Sequence, residues 1–261
     1  MRVLVTNDDG IFSDGLIALT RALARIAEVV VVAPDRERSA TGHAITVLRP
    51  LRVEPVRLPD LDVRAWAVDG TPSDCVKLAI EALLDERPDV LISGINRGPN
   101  LGTDVLYSGT VSAAVEGMIL GVDSAAISVA AFENPNYEAA ANFAVEITRG
   151  IAERGLPPLT ILNINVPSAE REEIAGIAIT RLGTRKYKDV FDRRVDPRGR
   201  TYYWLAGDVV ETDQGDDVDS VAIRNRMISV TPICFNLTTE EHLRELSSWG
   251  LGAGGPKPGR P

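Results

Sequence analysis

Five runs of apolar, mostly β-branched residues constrain this chain more than anything else in it: Arg2–Thr6, Glu28–Ala33, Asp89–Ser93, Ser124–Ala130 and Thr160–Val166. They are continuous rather than alternating, so each asks for burial on both faces. Strands of that kind belong to parallel sheets covered by helices above and below. The segments between them carry helical spacing. Leu16, Leu19, Leu23 and Ile26 predict a helix from Asp14 to Ala27, and Val76, Ile80, Leu83 and Leu84 predict another behind a Thr71 N-cap and Pro72 at the first helical position. Thr110–Leu120 and Asn136–Glu153 complete the set. Strand–helix alternation of this length predicts an α/β fold, a Rossmann-like doubly wound, mainly parallel sheet in three layers with right-handed crossovers. His43–Leu48, Leu51–Leu58 and Ala65–Val68 read as short strands at an antiparallel sheet edge.

The pattern changes after Ile174. Gly176–Arg181 is strand-like. Tyr187–Val195 and Arg200–Leu205 flank the turn Asp196-Pro197-Arg198-Gly199, which reads as a long β-hairpin whose second strand carries Tyr202, Tyr203 and Trp204. Left uncovered, those aromatics would expose apolar area, so the hairpin is expected to be an oligomerisation arm, the alternative being a hairpin folded back on its own domain. A short helix over Asp216–Ile223, a strand over Met227–Thr231 and a helix over Thr239–Ser248 capped by Thr239 follow. The expected organisation is a catalytic core over residues 1–180, a C-terminal extension over 181–249 and a Gly/Pro-rich disordered tail over 250–261.

A formal net charge of −9 argues against binding polymeric nucleic acid or an anionic membrane, while leaving room for a small anion held by a local cation. No apolar run is long enough to span a bilayer, and the first strand starts too early to leave room for a signal peptide. Two distant cysteines, Cys75 and Cys234, read as reduced core residues. The expected location is the cytoplasm.

Chemistry concentrates where the first strand ends, in Thr6-Asn7-Asp8-Asp9-Gly10. If Arg2–Thr6 is the central strand, Asp8 and Asp9 lie just past its carboxyl end, where open α/β sheets bind ligands. Adjacent carboxylates repel, and hard oxygen donors suit Mg²⁺ or Mn²⁺; Asn-Asp-Asp-Gly is also good turn chemistry by itself. Two further loops fall on the same edge, one with Ser39 and a long, glycine-rich one from Ser93 to Thr110. Ser108-Gly109-Thr110 opens a helix, offering either an anion site of free N–H groups and hydroxyls or an ordinary cap. There is no Gly-x-Gly-x-x-Gly after the first strand and no Gly-x-x-x-x-Gly-Lys-Ser/Thr. The two histidines, His43 and His242, are too few for a multi-histidine metal centre.

Taken together, Thr6-Asn7-Asp8-Asp9-Gly10, Ala33-Pro34-Asp35-Arg36-x-Arg38-Ser39, Val68-Asp69-Gly70-Thr71-Pro72, Ser93-Gly94-Ile95-Asn96-x-Gly98-x-Asn100-x-Gly102, Tyr107-Ser108-Gly109-Thr110 and Ser229-Val230-Thr231-Pro232 resemble the blocks of the SurE (stationary-phase survival) nucleotidases over most of the chain. The resemblance implies a 5′/3′-nucleotidase that hydrolyses nucleoside monophosphates, and in some members polyphosphate. It implies one divalent cation per subunit, Mg²⁺ or Mn²⁺, on Asp8, Asp9, Ser39 and Asn96. It also implies a homodimer or homotetramer joined through the C-terminal extension. Asp8 and Asp9 would be catalytic, with Asp8 favoured as the base, and Asn96, Ser108, Gly109 and Thr110 would bind phosphate. Two departures stand out: Ser13-Asp14 where the family pattern leads one to expect Ala-Pro, and Arg226-Met227 in place of Gly-Tyr. Two other readings fit the acidic pair: a phosphatase working through an aspartyl phosphate, and a nucleotide or phosphate sensor that does not turn over. The covalent one is disfavoured by adjacency, because such enzymes space their carboxylates one residue apart.

Overall fold

The computed structural model describes residues 1–188 and 190–249. The predicted tail over 250–261 lies outside them. In chain order the elements are β1 (Arg2–Thr6), α1 (Asp14–Leu23), β2 (Glu28–Pro34), β3 (Val53–Val56), β4 (Arg64–Val68), α2 (Pro72–Leu78), β5 (Val90–Arg97), α3 (Gly109–Ile119), β6 (Asp123–Val129), α4 (Glu138–Arg154) and β7 (Thr160–Val166). There follow β8 (Gly176–Ile179), β9 (Arg185–Lys188), β10 (Phe191–Val195), β11 (Thr201–Leu205), β12 (Asp208–Glu211), α5 (Asp219–Arg224), β13 (Met227–Cys234) and α6 (Glu240–Ser248).

Nine strands form one sheet in the order β3-β4-β2-β1-β5-β6-β7-β13-β8. The six from β4 through β7 pair in parallel; β3 runs antiparallel to β4, and β13 antiparallel to β7. The α/β three-layer architecture expected from the sequence is therefore present. Alternation along each strand feeds two cores. Val3 and Val5 join Leu16, Leu19 and Phe143 on the α1/α4 side, whereas Leu4 joins Val76, Ile80 and Ala114 on the α2/α3 side. All three β1 side chains are fully buried, each worth about 1.5–3 kcal/mol.

Chain order reverses at β1: β2 lies on one side and β5 on the other. The gap between the carboxyl ends of β1 and β5 is thus the topological switch point, where α/β sheets place their ligands.

Several local expectations are corrected. Residues 43–48 form no strand. Their polar groups turn to the start of α2: Thr46 donates its N–H and hydroxyl to Asp74, and Thr71 Oγ1 donates to the Ala44 carbonyl. The expected strand Tyr187–Val195 is split, with β9 pairing β12 and β10 pairing β11. The glycine-rich segment is less irregular than its composition suggests, since β5 runs on to Arg97 and residues 102–106 make a 3-10 turn. Thr239 occupies the N-cap of α6 without a side-chain capping bond. Cys75 is buried as expected, but Cys234 is exposed; both are free thiols.

The two sequence departures have physical roles. Ser13 caps α1 and accepts a 2.7 Å hydrogen bond from Asn7 Nδ2, tying the helix to the acidic turn. Arg226 sits just past α5 at φ 56°, the left-handed conformation that favours glycine.

Candidate functional site

Asn7 shapes the turn that presents Asp8 and Asp9. Its amide nitrogen donates to the Gly10 carbonyl and Ser13 Oγ, and its oxygen accepts from Gly10 N–H. The turn is fastened to the loop after β2 by Ile11 N–H to the Pro34 carbonyl at 2.9 Å and Arg38 N–H to the Asp8 carbonyl at 2.7 Å. Ser39 is brought alongside in this way.

The N-terminus of α3 meets Asp8 directly. Thr110 Oγ1 donates a short hydrogen bond to Asp8 Oδ1. Gly109 has no side chain because none would fit: an added Cβ would lie 2.8 Å from Asp8 Cβ. Ser108 caps the helix, accepting from Val111 N–H at 3.1 Å. On the other side a bulge between Gly94 and Asn96 turns the end of β5. Asn96 Nδ2 donates to the Gly98 carbonyl at 2.8 Å, which leaves its carbonyl oxygen as the end available to a ligand. Arg97 N–H donates to Asp9 Oδ2 at 3.0 Å.

Asp8, Asp9, Ser39, Asn96 and Ser108 all line one cavity of about 1100 Å³. Gly109 and Thr110 do not; they are buried behind Asp8, and the Thr110 hydroxyl is spent on it. A smaller cavity of about 510 Å³ adjoins the first, sharing Asp9, Glu37, Arg97 and Phe132.

Burial is the main reason the Asp8 carboxyl is pushed up to about 6; neighbouring Asp9 adds to it and the Thr110 hydrogen bond opposes it. Burial likewise raises Asp9, the Arg97 N–H and charge oppose the rise, and Glu37 adds to it. Neither carboxylate is ion-paired among the described residues. Nowhere among those residues do three or more His, Cys, Asp or Glu side chains gather as a metal cluster. A cation here would take two carboxylates together with amide and hydroxyl oxygens. An acidic pair without an ion-pair partner among the described residues, sharing a cavity with the Asn96 carbonyl and the Ser39 hydroxyl, is chemistry that fits a hard divalent ion.

Sequence reasoning overlooked the residues that hold the glycine-rich loop. Asn100 is buried; its N–H donates to Asn165 Oδ1, its Nδ2 to Ser128 Oγ, and its carbonyl accepts from Nδ2 of both Asn163 and Asn165. Asp219 accepts from Gly102 N–H and Gly183 N–H. Asparagines in the otherwise apolar run Thr160–Val166 were the available signal: a polar group there must be satisfied. Also overlooked was the loop after β6, which brings Phe132 and Tyr137 to the same edge. β9 contributes Tyr187 to the wall beside Asp104: Tyr187 donates to Asp104 Oδ1 at 2.7 Å and Arg185 pairs with Asp104 Oδ2 at 2.5 Å. Burial, together with Asp104, pushes the Tyr187 hydroxyl up to about 12.

Residues 3–189 match the family model described as Survival protein SurE. Among curated proteins, the chain is 56% identical over 254 residues to the 5′-nucleotidase SurE of Heliobacterium modesticaldum, covering 97% of this chain and 93% of that one. It is 54% identical over 253 residues to the 5′-nucleotidase SurE of Carboxydothermus hydrogenoformans, covering 95% and 96%. Among solved structures, the SurE protein from Aquifex aeolicus superimposes with a TM-score of 0.82 at 40% identity, covering 96% of this chain and all of that one.

Proposed function

The chain belongs to the SurE family, and we propose from that premise that it is a nucleotidase, a phosphomonoesterase that hydrolyses nucleoside 5′-monophosphates to nucleoside and phosphate. The reading extends to 3′-monophosphates and polyphosphate. The observation that carries it is the convergence of Asp8, Asp9, Ser39, Asn96 and Ser108 on one cavity at the switch point of the sheet.

Asp8, Asp9, Ser39 and Asn96 would hold one divalent cation, Mg²⁺ or Mn²⁺. When bound, such an ion supplies positive charge for the ester phosphate and acidifies water. Arg97, which lines the cavity, adds a fixed cation that draws the anionic substrate in. The Ser108 hydroxyl, at the N-cap of α3, would face the non-bridging oxygens and stabilise the charge that shifts onto them in the transition state. A water oxygen attacks phosphorus, the bond to the sugar oxygen breaks, and the leaving oxygen takes up a proton. The Asp8 carboxylate, which lines the cavity, is placed to accept the proton that water gives up. Thr110 and Gly109 position it: one through its hydroxyl, the other through the space it leaves.

The aromatic arm supports assembly into a homodimer or homotetramer. Phe191, Tyr203, Trp204 and Leu205 are all more than half exposed, an apolar surface that association would bury. No helix among the described residues is long and apolar enough to cross a membrane. Two free thiols suit a reducing compartment such as the cytoplasm.

The deciding experiment measures phosphate release from AMP with Mn²⁺ or Mg²⁺ and with EDTA, for the wild type and Asp8→Asn. Ion-dependent release that falls by at least ~100-fold in the variant is expected. Release indifferent to chelation, or a fully active variant, would overturn the mechanism. Failure on every monoester would favour a binding protein without turnover.

A further inference from the structure

The two adjoining cavities divide the site by chemistry. Asp8, Asn96 and Ser108 line only the larger one, which is the phosphate end under the nucleotidase reading. Phe12 and Tyr137 line only the smaller one. Phe132 lines both. The residue is 71% exposed.

The ring packs against the loop after β5. Gly98 lies beneath it at φ 103°, and a Cβ there would come within 2.2 Å of Phe132 Cε1. Gly98 itself is fixed: its N–H donates to the Val129 carbonyl at 3.1 Å, and its carbonyl accepts from Asn96 Nδ2. The glycine therefore allows an aromatic ring to pack closely against the β5 loop while most of the residue stays exposed. Asn96, a proposed cation ligand, and Phe132, the exposed ring, are both held by this one backbone position.

We propose that Phe132 is the specificity-determining residue of this site, stacking on the base of the nucleotide whose phosphate lies by Asp8. The proposal rests on the nucleotidase reading and deepens it. A planar, apolar, largely exposed ring lining the cavity matches the π-face of a purine or pyrimidine. The sugar would then pass Asp9 and Arg97, the residues shared by the two cavities. Stacking tolerates any base, so Phe132 would select nucleotides over simple phosphomonoesters rather than one base over another.

The test compares AMP with ribose 5-phosphate, which keeps the phosphate and sugar but lacks the base. Phe132→Ala is expected to lower kcat/KM for AMP by about 10-fold or more, chiefly through KM, and to leave ribose 5-phosphate within about twofold. The inhibition constant of adenosine should rise in parallel, while that of inorganic phosphate should not. Phe132→Trp should restore AMP and adenosine, and Phe132→Leu should not. Equal losses on both substrates would show a merely structural role, and an unchanged KM for AMP would show that the base lies elsewhere; either overturns the proposal. Should the wild type cleave no monoester, the nucleotidase reading fails instead. Calorimetric titration of wild type and Phe132→Ala with adenosine then decides the stacking, and equal affinities or no binding would refute it.

Discussion

Asp8→Asn separates what the fold tolerates from what the site requires. Asp8 is only 4% exposed, and its carboxyl is raised from 3.8 to about 6, first by burial. A carboxyl that binds its proton more tightly when folded makes the native chain take up protons relative to the unfolded one between those two values. Stability conferred on the protonated form is therefore lost as pH rises from about 4 to about 6, and above about 7 the full deficit remains. At about 1.4 kcal/mol for each tenfold change in proton affinity, the deficit is roughly 3 kcal/mol. Asparagine removes the charge and keeps an oxygen for the Thr110 hydroxyl, while its amide nitrogen can reach water in the cavity. The variant should gain about 1–3 kcal/mol at pH 7.5, a rise of roughly 3–8 °C in Tm for a chain of this size. The assay is thermal unfolding in EDTA at one protein concentration, across pH 4 to 8. The gap between variant and wild type should be near zero at pH 4 and largest above pH 7. Adding Mn²⁺ should raise the Tm of the wild type more than that of the variant. A gap independent of pH, or a variant less stable at pH 7.5, would refute the reasoning that an uncompensated carboxylate is held here at the expense of the fold.

Three other perturbations test separate parts of the structure. Arg226→Gly relieves a left-handed residue at the end of α5 and gives up, among the described residues, one exposed ion pair, to Glu173 at 3.5 Å; unfolding in denaturant should show a gain of about 1 kcal/mol. Gly109→Ala forces a methyl against Asp8, so activity should fall by ~10-fold or more and stability by about 1–3 kcal/mol, checked by AMP turnover alongside thermal unfolding. Glu116 is 4% exposed and shared by His43 at 2.8 Å and Lys77 at 3.2 Å, so His43→Ala should lose about 1–3 kcal/mol and loosen the Ser39 loop, read by chemical denaturation and by hydrogen exchange over residues 39–48.

Much of this was legible in the chain. Buried strands announce themselves by continuous β-branched runs, because a strand covered on both faces has no polar position to spare; β1, β2, β5, β6 and β7 follow the expected segments within a few residues. Asp8 and Asp9 could be placed at a strand end for the same reason. Residues 43–48 misled because alternation also arises in a loop, and what decided their conformation was Asp74, far along the chain. Arg226 could be identified as a departure from a family pattern, but its cost became visible only with its φ angle.

The sequence alone determined the layer architecture, the edge on which the acidic turn lies and the family to which the chain belongs, since local periodicity and short motifs are properties of neighbours in the chain. Tertiary structure alone decided that Thr110 is spent on Asp8, that Asn163 and Asn165 hold the loop beneath the site, and that Phe132 lies over Gly98 between two cavities. Each of these is a contact between residues tens of positions apart, and such contacts depend on strand order and register. No residue's identity fixes those until the sheet has closed around it.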